Sequence, residues 1–219
     1  ARLRSRKIPT CQAPVLLEAP VAAGLIGSFV SAASGGNLYR KSSFLLDALG
    51  RKVFASGVRI EERPHEPRGL ASSSFDDEGV ATRARTVVEK GELKGYFLGS
   101  YSARKLGMKS TGSAGGTHNL VVAASGPDFR GMLRKLRRGL LVTELLGQGV
   151  NLITGDYSRG AAGYWVEGGE IAFPVEEITI AGNLKDMFLG IAAVGSDEAV
   201  RGSYRCGSIL IDNMTIAGN

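Results

Sequence analysis

The stretch LLVTELLGQGVNLITGDYSRGAAGYWVEGGEIAFPVEEITIA, residues 140–181, decides the fold class. Short strand-like runs at 140–145, 150–154, 163–166, 170–173 and 177–181 are separated by Gly-rich turns. That pattern predicts antiparallel hairpins, with Glu167-Gly168-Gly169-Glu170 as the loop of one. Strands outnumber helices and hairpin signals outnumber strand–helix–strand signals. The expected class is α+β, mainly antiparallel sheet with a few amphipathic helices.

Working outward, residues 127–138 give the clearest helix. Phe129, Met132, Leu133 and Leu136 fall at i, i+3, i+4 and i+7, and Pro127 suits the first helical position. Asn183 and Asp186 resemble a capping pair ahead of Leu184, Met187, Phe188 and Ile191 at the same spacing. Residues 208–216 close the chain as strand. Towards the N-terminus, residues 1–12 form a basic lead-in to one domain over 13–219. Residues 14–17 read as a buried strand, and 19–33 as a helix ended by Ser34-Gly35-Gly36-Asn37. A second helix is expected over 39–49, stopped by Gly50, then strands at 53–60, 92–101 and 118–124. Residues 61–82, with Pro64, Pro67 and the acidic turn Asp76-Asp77-Glu78-Gly79, read as a long ordered loop. Residues 110–117 read as a shorter Gly/Ser/Thr loop.

Composition narrows the class further. The chain has 219 residues, 43% of them apolar and 22% charged, which excludes disorder throughout. Gly is abundant, 31 residues, about twice the usual share of roughly 7%. There is no collagen period, so these glycines imply tight turns and close backbone contacts. Two distant Cys, Cys11 and Cys206, give no disulfide framework and suit a reducing compartment. No apolar run is long enough to span a membrane. The chain begins at Ala1 with no signal-peptide pattern, and it reads as the C-terminal part of something longer. The net charge of +6 sits in two clusters: Arg2, Arg4, Arg6 and Lys7, and Arg130, Arg134, Lys135, Arg137 and Arg138. Elsewhere acids exceed bases. One cluster is a terminus and the other a helix face, without the interleaved aromatics of a nucleic-acid groove. They read as solvated basic patches, and nucleic acid is not the expected partner.

The inventory for chemistry is thin. His65-Glu66 opens like a zinc-protease motif, but Pro67 follows and no second His lies at i+4 or i+5. His118 opens a strand and reads as structural. Cys206 reads as a small buried hydrophobe. The acids at 76–78 lack EF-hand spacing, and the Gly-rich turns match no phosphate loop. One segment stands apart, Gly155 to Trp165. Its small residues allow another backbone to approach, and Asp156, Tyr157, Ser158, Arg159 and Trp165 can grip it. That mix suits a substrate channel or interface as well as it suits turns and core.

Five further stretches carry a resemblance: SGGNLYRKSSFLLDALG (34–50), FDDEGVATR (75–83), GSYSARKLGMKSTG (99–112), TELLGQGVNLITGDYSRGAAGYWVEGGEI (143–171) and PVEEITIAGNLKDMF (174–188). Together they resemble the TldD/PmbA family, on its PmbA (TldE) branch, over nearly the whole chain. The resemblance implies a cytoplasmic, heterodimeric peptidase system. In it a TldD-type subunit carries zinc, and small or unfolded peptides, including antibiotic precursors, are processed. The isolated chain could instead pair with itself. Another name in the family is modulator of DNA gyrase, and full members carry an additional N-terminal domain. TldD-type subunits place a His-Glu-x-x-x-His helix after a strand like 14–17, with a Cys near the C-terminus. A gapless count puts that motif on Gly27, Ser28, Phe29, Val30, Ser31 and Ala32, so Gly27 and Ala32 stand at the His positions and Ser28 at the Glu. Cys206-Gly207 resembles the family's Cys-Gly, but one thiolate does not make a three-ligand site unless other ligands are supplied. The expectation is a subunit with no catalytic residues and no cofactor of its own. The alternatives are a self-sufficient metallopeptidase and a gyrase- or DNA-binding module acting through the 127–138 helix.

Overall fold

The computed structural model describes residues 5–218; Arg2 and Arg4 of the first basic cluster lie outside them. The chain enters as β1 (Cys11–Leu17), turns at Glu18 and runs into α1 (Ala19–Ala32), where Pro20 sits in the first turn and needs no N–H partner. The short α2 (Gly35–Tyr39) follows, then β2 (Ile60–Glu62), β3 (Arg85–Glu89), β4 (Glu92–Leu93), α3 (Ser100–Lys105) and β5 (Leu120–Val122). Next come α4 (Phe129–Leu136), β6 (Gly139–Leu146), the long hairpin β7 (Asp156–Glu167) and β8 (Glu170–Asn183), then α5 (Leu184–Leu189). The chain finishes with β9 (Ile191–Val194), β10 (Ala199–Arg201), β11 (Tyr204–Cys206) and β12 (Ile209–Ala217).

Two sheets result. In the first the order is β1-β6-β7-β8-β12-β9, and β1 also pairs with β12. Five strands therefore close into a ring, β1-β6-β7-β8-β12, and closure removes the free edges a sheet must otherwise protect. The second sheet runs β10-β11-β5-β2-β3-β4. Among the named strands only β1–β6 and β11–β5 are parallel. The class is α+β with mainly antiparallel sheet, as the hairpin signals predict. Gly168 and Gly169, both at positive φ, make the two-residue turn between β7 and β8.

The main core gathers around Phe29 of α1, which is fully buried. It meets Phe54 edge-on at 5.0 Å and Phe188 of α5 at 6.2 Å, while Phe54 and Phe188 stack at 4.5 Å. Aromatic pairs at these geometries add to the burial of their area. A smaller cluster packs Met132, Leu133 and Leu136 of α4 on Leu16, Leu141 and Leu210. α4 thus buries its apolar face and leaves its basic face outward, as its spacing predicts.

Several expected elements differ. The helix expected over 39–49 is a run of turns, because Lys41 and Asp47 take positive φ and Ser43 Oγ donates to the Ala32 carbonyl at 2.6 Å. The helix there is α2, placed earlier. Residues 53–59 form no strand; the N–H groups of Val53 and Phe54 both donate to the Gly91 carbonyl. Of the strand expected over 92–101 only β4 and an isolated parallel bridge from Phe97 to Ser34 pair, and its end is replaced by α3, whose first N–H is taken by the Glu78 carboxylate at 2.6 Å. β3 had no expectation at all. Residues 150–154 are a tight turn in which Asn151 Oδ1 accepts the Ile153 N–H, leaving one isolated bridge, Val150 to Tyr157. Pro127 lies before the first helical position of α4. Asp128 is the cap, and its Oδ1 accepts the Gly131 N–H at 2.9 Å.

Candidate functional site

The segment singled out in the sequence becomes β7, and its five candidate residues do not converge. Asp156 and Trp165 are nine residues apart on one strand, about 30 Å. Successive side chains alternate between faces, so Asp156 and Ser158 are exposed while Tyr157 is buried. At the first end, Asp156 accepts from Thr154 Oγ1 at 2.6 Å and from Asn183 Nδ2 at 3.2 Å. A cavity of about 480 Å³ lies there, lined by Gln148, Asn151, Asp156, Tyr157 and Ser158. At the other end Trp165 donates from Nε1 to Glu167 at 3.2 Å, beneath the Arg138 guanidinium at 6.0 Å. Trp165, Arg138, Glu167, Phe173 and Cys11 line a separate cavity of about 520 Å³.

Between these ends, Tyr157 and Arg159 sit at i and i+2 on β7. Burial raises the Tyr157 hydroxyl above its ordinary value, and the charge and hydrogen bond of Arg159 pull it back only in part. Arg159 Nε is buried and has no hydrogen-bond partner. A donor in that condition is uncommon in native proteins.

The acidic turn at 76–78 is structural. Asp76 is buried, and both its oxygens are used: Oδ1 accepts the N–H groups of Glu78 and Val80, and Oδ2 that of Ala114, all within 2.9–3.0 Å. Burial alone would raise this carboxyl, yet the three backbone donors outweigh it and hold the group below its ordinary value. The two histidines also have local partners. His65 Nε2 lies 3.1 Å from Thr82 Oγ1, and His118 Nδ1 lies 3.3 Å from Glu62, which also receives Arg85 Nε at 2.7 Å. The Glu62–Arg85–His118 cluster escapes sequence reading because its members lie 23 and 56 residues apart and follow no periodicity.

A zinc site needs at least three protein donors with imidazole or thiolate character. Gly27 has no side chain. A Cβ built there would lie 3.6 Å from the Tyr204 ring, so that ring borders the space. Ser28 Oγ turns back to the Gly24 carbonyl at 3.3 Å, and Ala32 is buried at the helix end. The register adds a constraint. Leu17 pairs with Ile209, three residues after Cys206, so α1 starts beside the Cys206 segment and Ala32 lies about 20 Å further along the axis. The helix start is no better supplied, since Glu18 is the one His, Cys, Asp or Glu between Pro14 and Ala33. Cys206 is buried and its thiol is pushed up to about 12, first by burial and then by Asp197 and Glu198. It is a neutral S–H donating to the Gly207 carbonyl at 3.1 Å. Among the described residues no three His, Cys, Asp or Glu side chains converge. This donor set does not fit a zinc ion.

The ring is antiparallel except at β1–β6, a second sheet lies beside it, and the helix after the first strand carries no imidazole, thiol or carboxylate. A family model described as the PmbA/TldA metallopeptidase C-terminal domain matches residues 10–218, and the chain belongs to that family. It is 56% identical over 218 residues to Metalloprotease PmbA of Escherichia coli, and 53% identical over 223 residues to a PmbA homolog of Haemophilus influenzae. Each alignment covers all of this chain and 48% or 49% of the relative, so the chain spans about half the length of the curated relatives it matches. Among solved structures, TldE from Thermococcus kodakarensis superposes with a TM-score of 0.86 at 25% identity, covering 98% of this chain and 52% of that one. A Bacteroides thetaiotaomicron protein named for modulation of DNA gyrase superposes at 0.94 with 30% identity, covering 100% and 49%. No helix among the described residues is long and apolar enough to cross a membrane.

Proposed function

We propose that this chain is the C-terminal domain of a PmbA/TldE-type subunit that works beside a zinc-bearing TldD-type subunit in the cytoplasm. Their joint substrates are small or unfolded peptides, and this subunit supplies binding surface and enclosure while its partner supplies hydrolysis. The observation that carries the reading is the donor set just described: no imidazole on α1 and a neutral, enclosed Cys206. A glycine offers no donor, and Cys206, even with its proton displaced, would be a single ligand where a zinc site needs at least three. The PmbA and TldE relatives support the branch assignment. Full-length protein mixed with a TldD-type subunit should yield peptide cleavage that this subunit lacks by itself. Cleavage by the TldD-type subunit that is the same with and without this protein would contradict the reading.

A further inference from the structure

We propose that a cleft between the 44–53 segment and α5 binds a single-chain amphiphile, a straight alkyl tail with an anionic head. The cleft measures about 250 Å³, and its apolar wall is Phe44, Leu45, Leu46, Ala48, Val53 and Leu189. The remaining lining is Arg51, Lys52 and Lys185, so every neutral side chain there is apolar and every charged one is a cation. All three cations are exposed, and Leu189 is 48% exposed, so wall and rim are open to an incoming molecule. Lys185 Nζ stands 6.0 Å from the centre of the Phe44 ring, and Lys52 Nζ donates to the neutral Ser56 Oγ. Among the described residues no acid forms an ion pair with Arg51, Lys52 or Lys185. Asp47 and Asp186, their neighbours in sequence, do not line the cleft.

These features select the occupant. A peptide or a nucleotide needs polar partners along its length. The apolar wall has spent its own: the N–H groups of Phe44, Leu45, Ala48 and Val53 donate to the Leu152 carbonyl, Ser43 Oγ, the Tyr96 hydroxyl and the Gly91 carbonyl. A flat aromatic ligand finds no slot, because the Phe44 ring carries Lys185 and lies at 39° to Phe188, 6.3 Å away. An aliphatic tail asks only for apolar area, and each methylene it buries adds to affinity. The negative head answers three cations that lack a counter-charge, with the Arg51 guanidinium able to give two parallel hydrogen bonds. Size follows from volume. The cleft holds about eight groups of the roughly 30 Å³ that a water molecule occupies, which matches a tail of about eight carbons. A fatty acid and an alkyl phosphate share this chemistry.

The site is separate from the proposed pairing with a TldD-type subunit, and its test needs neither zinc nor that subunit. Full-length protein is titrated in a calorimeter with hexanoate, octanoate, decanoate, octyl phosphate, octanol and N-acetyl-leucine. Affinity should rise about fourfold per methylene up to about eight carbons and then level off. Octanol should bind about tenfold or more weakly than octanoate. Replacing both cations in Arg51→Gln with Lys185→Gln should weaken octanoate about tenfold and leave octanol unchanged. Leu189→Ser should weaken octanoate and octanol alike, since it removes wall and no charge. The tighter of octanoate and octyl phosphate names the head, and either one binding as described supports the site. No octanoate or octyl phosphate binding at about 1 mM, or octanol binding as tightly as octanoate, overturns the proposal. N-acetyl-leucine binding more tightly than octanoate overturns the straight-chain tail in favour of a peptide end. A negative result leaves the pairing with a TldD-type subunit standing, because that is read by cleavage in the mixture.

Discussion

A thiol that has lost its charge is chemically quiet. Cys206 is fully enclosed and pushed up to about 12 from an ordinary 9.0, so it should resist iodoacetamide at pH 8 in the folded protein and react once denatured. Mass spectrometry of the two labelled forms checks this; rapid labelling of native Cys206 would mean the thiol is not enclosed. Asp76 makes the opposite case. Replacing it by Ala strands three backbone donors, and the cost should be about 2–4 kcal/mol in denaturant unfolding. At this scale the sequence is partly legible. The lack of His between residues 14 and 33 is visible without coordinates. The role of Asp76 is not, because one of its donors, Ala114, lies 38 residues away. Nor is the unpartnered Nε of Arg159, since an absent partner leaves no mark in the sequence.

The elements follow the same division between local and distant causes. α1, α4, α5 and the β7–β8 hairpin are legible because their signals are local: helical spacing, the cap at Asn183, and two glycines in a turn. Asn183→Ala should cost about 1 kcal/mol through the lost cap on Lys185 N–H. α2, α3 and the 53–59 segment are not legible, because the Phe97 carbonyl, the Glu78 carboxylate and the Gly91 carbonyl that fix them come from elsewhere in the chain. The candidate channel or interface residues along β7 are spread out for a related reason. They share a strand, but strand pitch separates them and the pleat turns them to opposite faces. Gly163 shows how tightly that strand is held: a Cβ would lie 1.9 Å from the Leu141 carbonyl. Gly163→Ala should therefore cost about 3 kcal/mol or more, read as a fall in the denaturation midpoint. A neutral outcome would mean that β6 and β7 are not paired as described.

For the whole molecule, the closed ring and the Phe29–Phe54–Phe188 core form the frame. Its pH limits follow from the enclosed groups. Cys206, Tyr96, Tyr157 and Tyr204 are all raised by burial. Their contribution to stability is intact below the ordinary values of 9.0 and 10.0 and is lost as pH climbs above them. Asp76 and Glu61 are lowered, so their contribution holds above ordinary carboxylate values and fades as pH falls through the folded ones. Thermal unfolding scanned from pH 3 to 11 should show losses at both ends and a plateau between.

Metal content decides the account most directly. Full-length protein, purified without chelator and measured by elemental analysis, should carry far less than one zinc per chain, while its complex with a TldD-type subunit should carry the ion on that subunit. One tightly held zinc per chain of the isolated protein, together with peptide cleavage that a chelator abolishes, would contradict it.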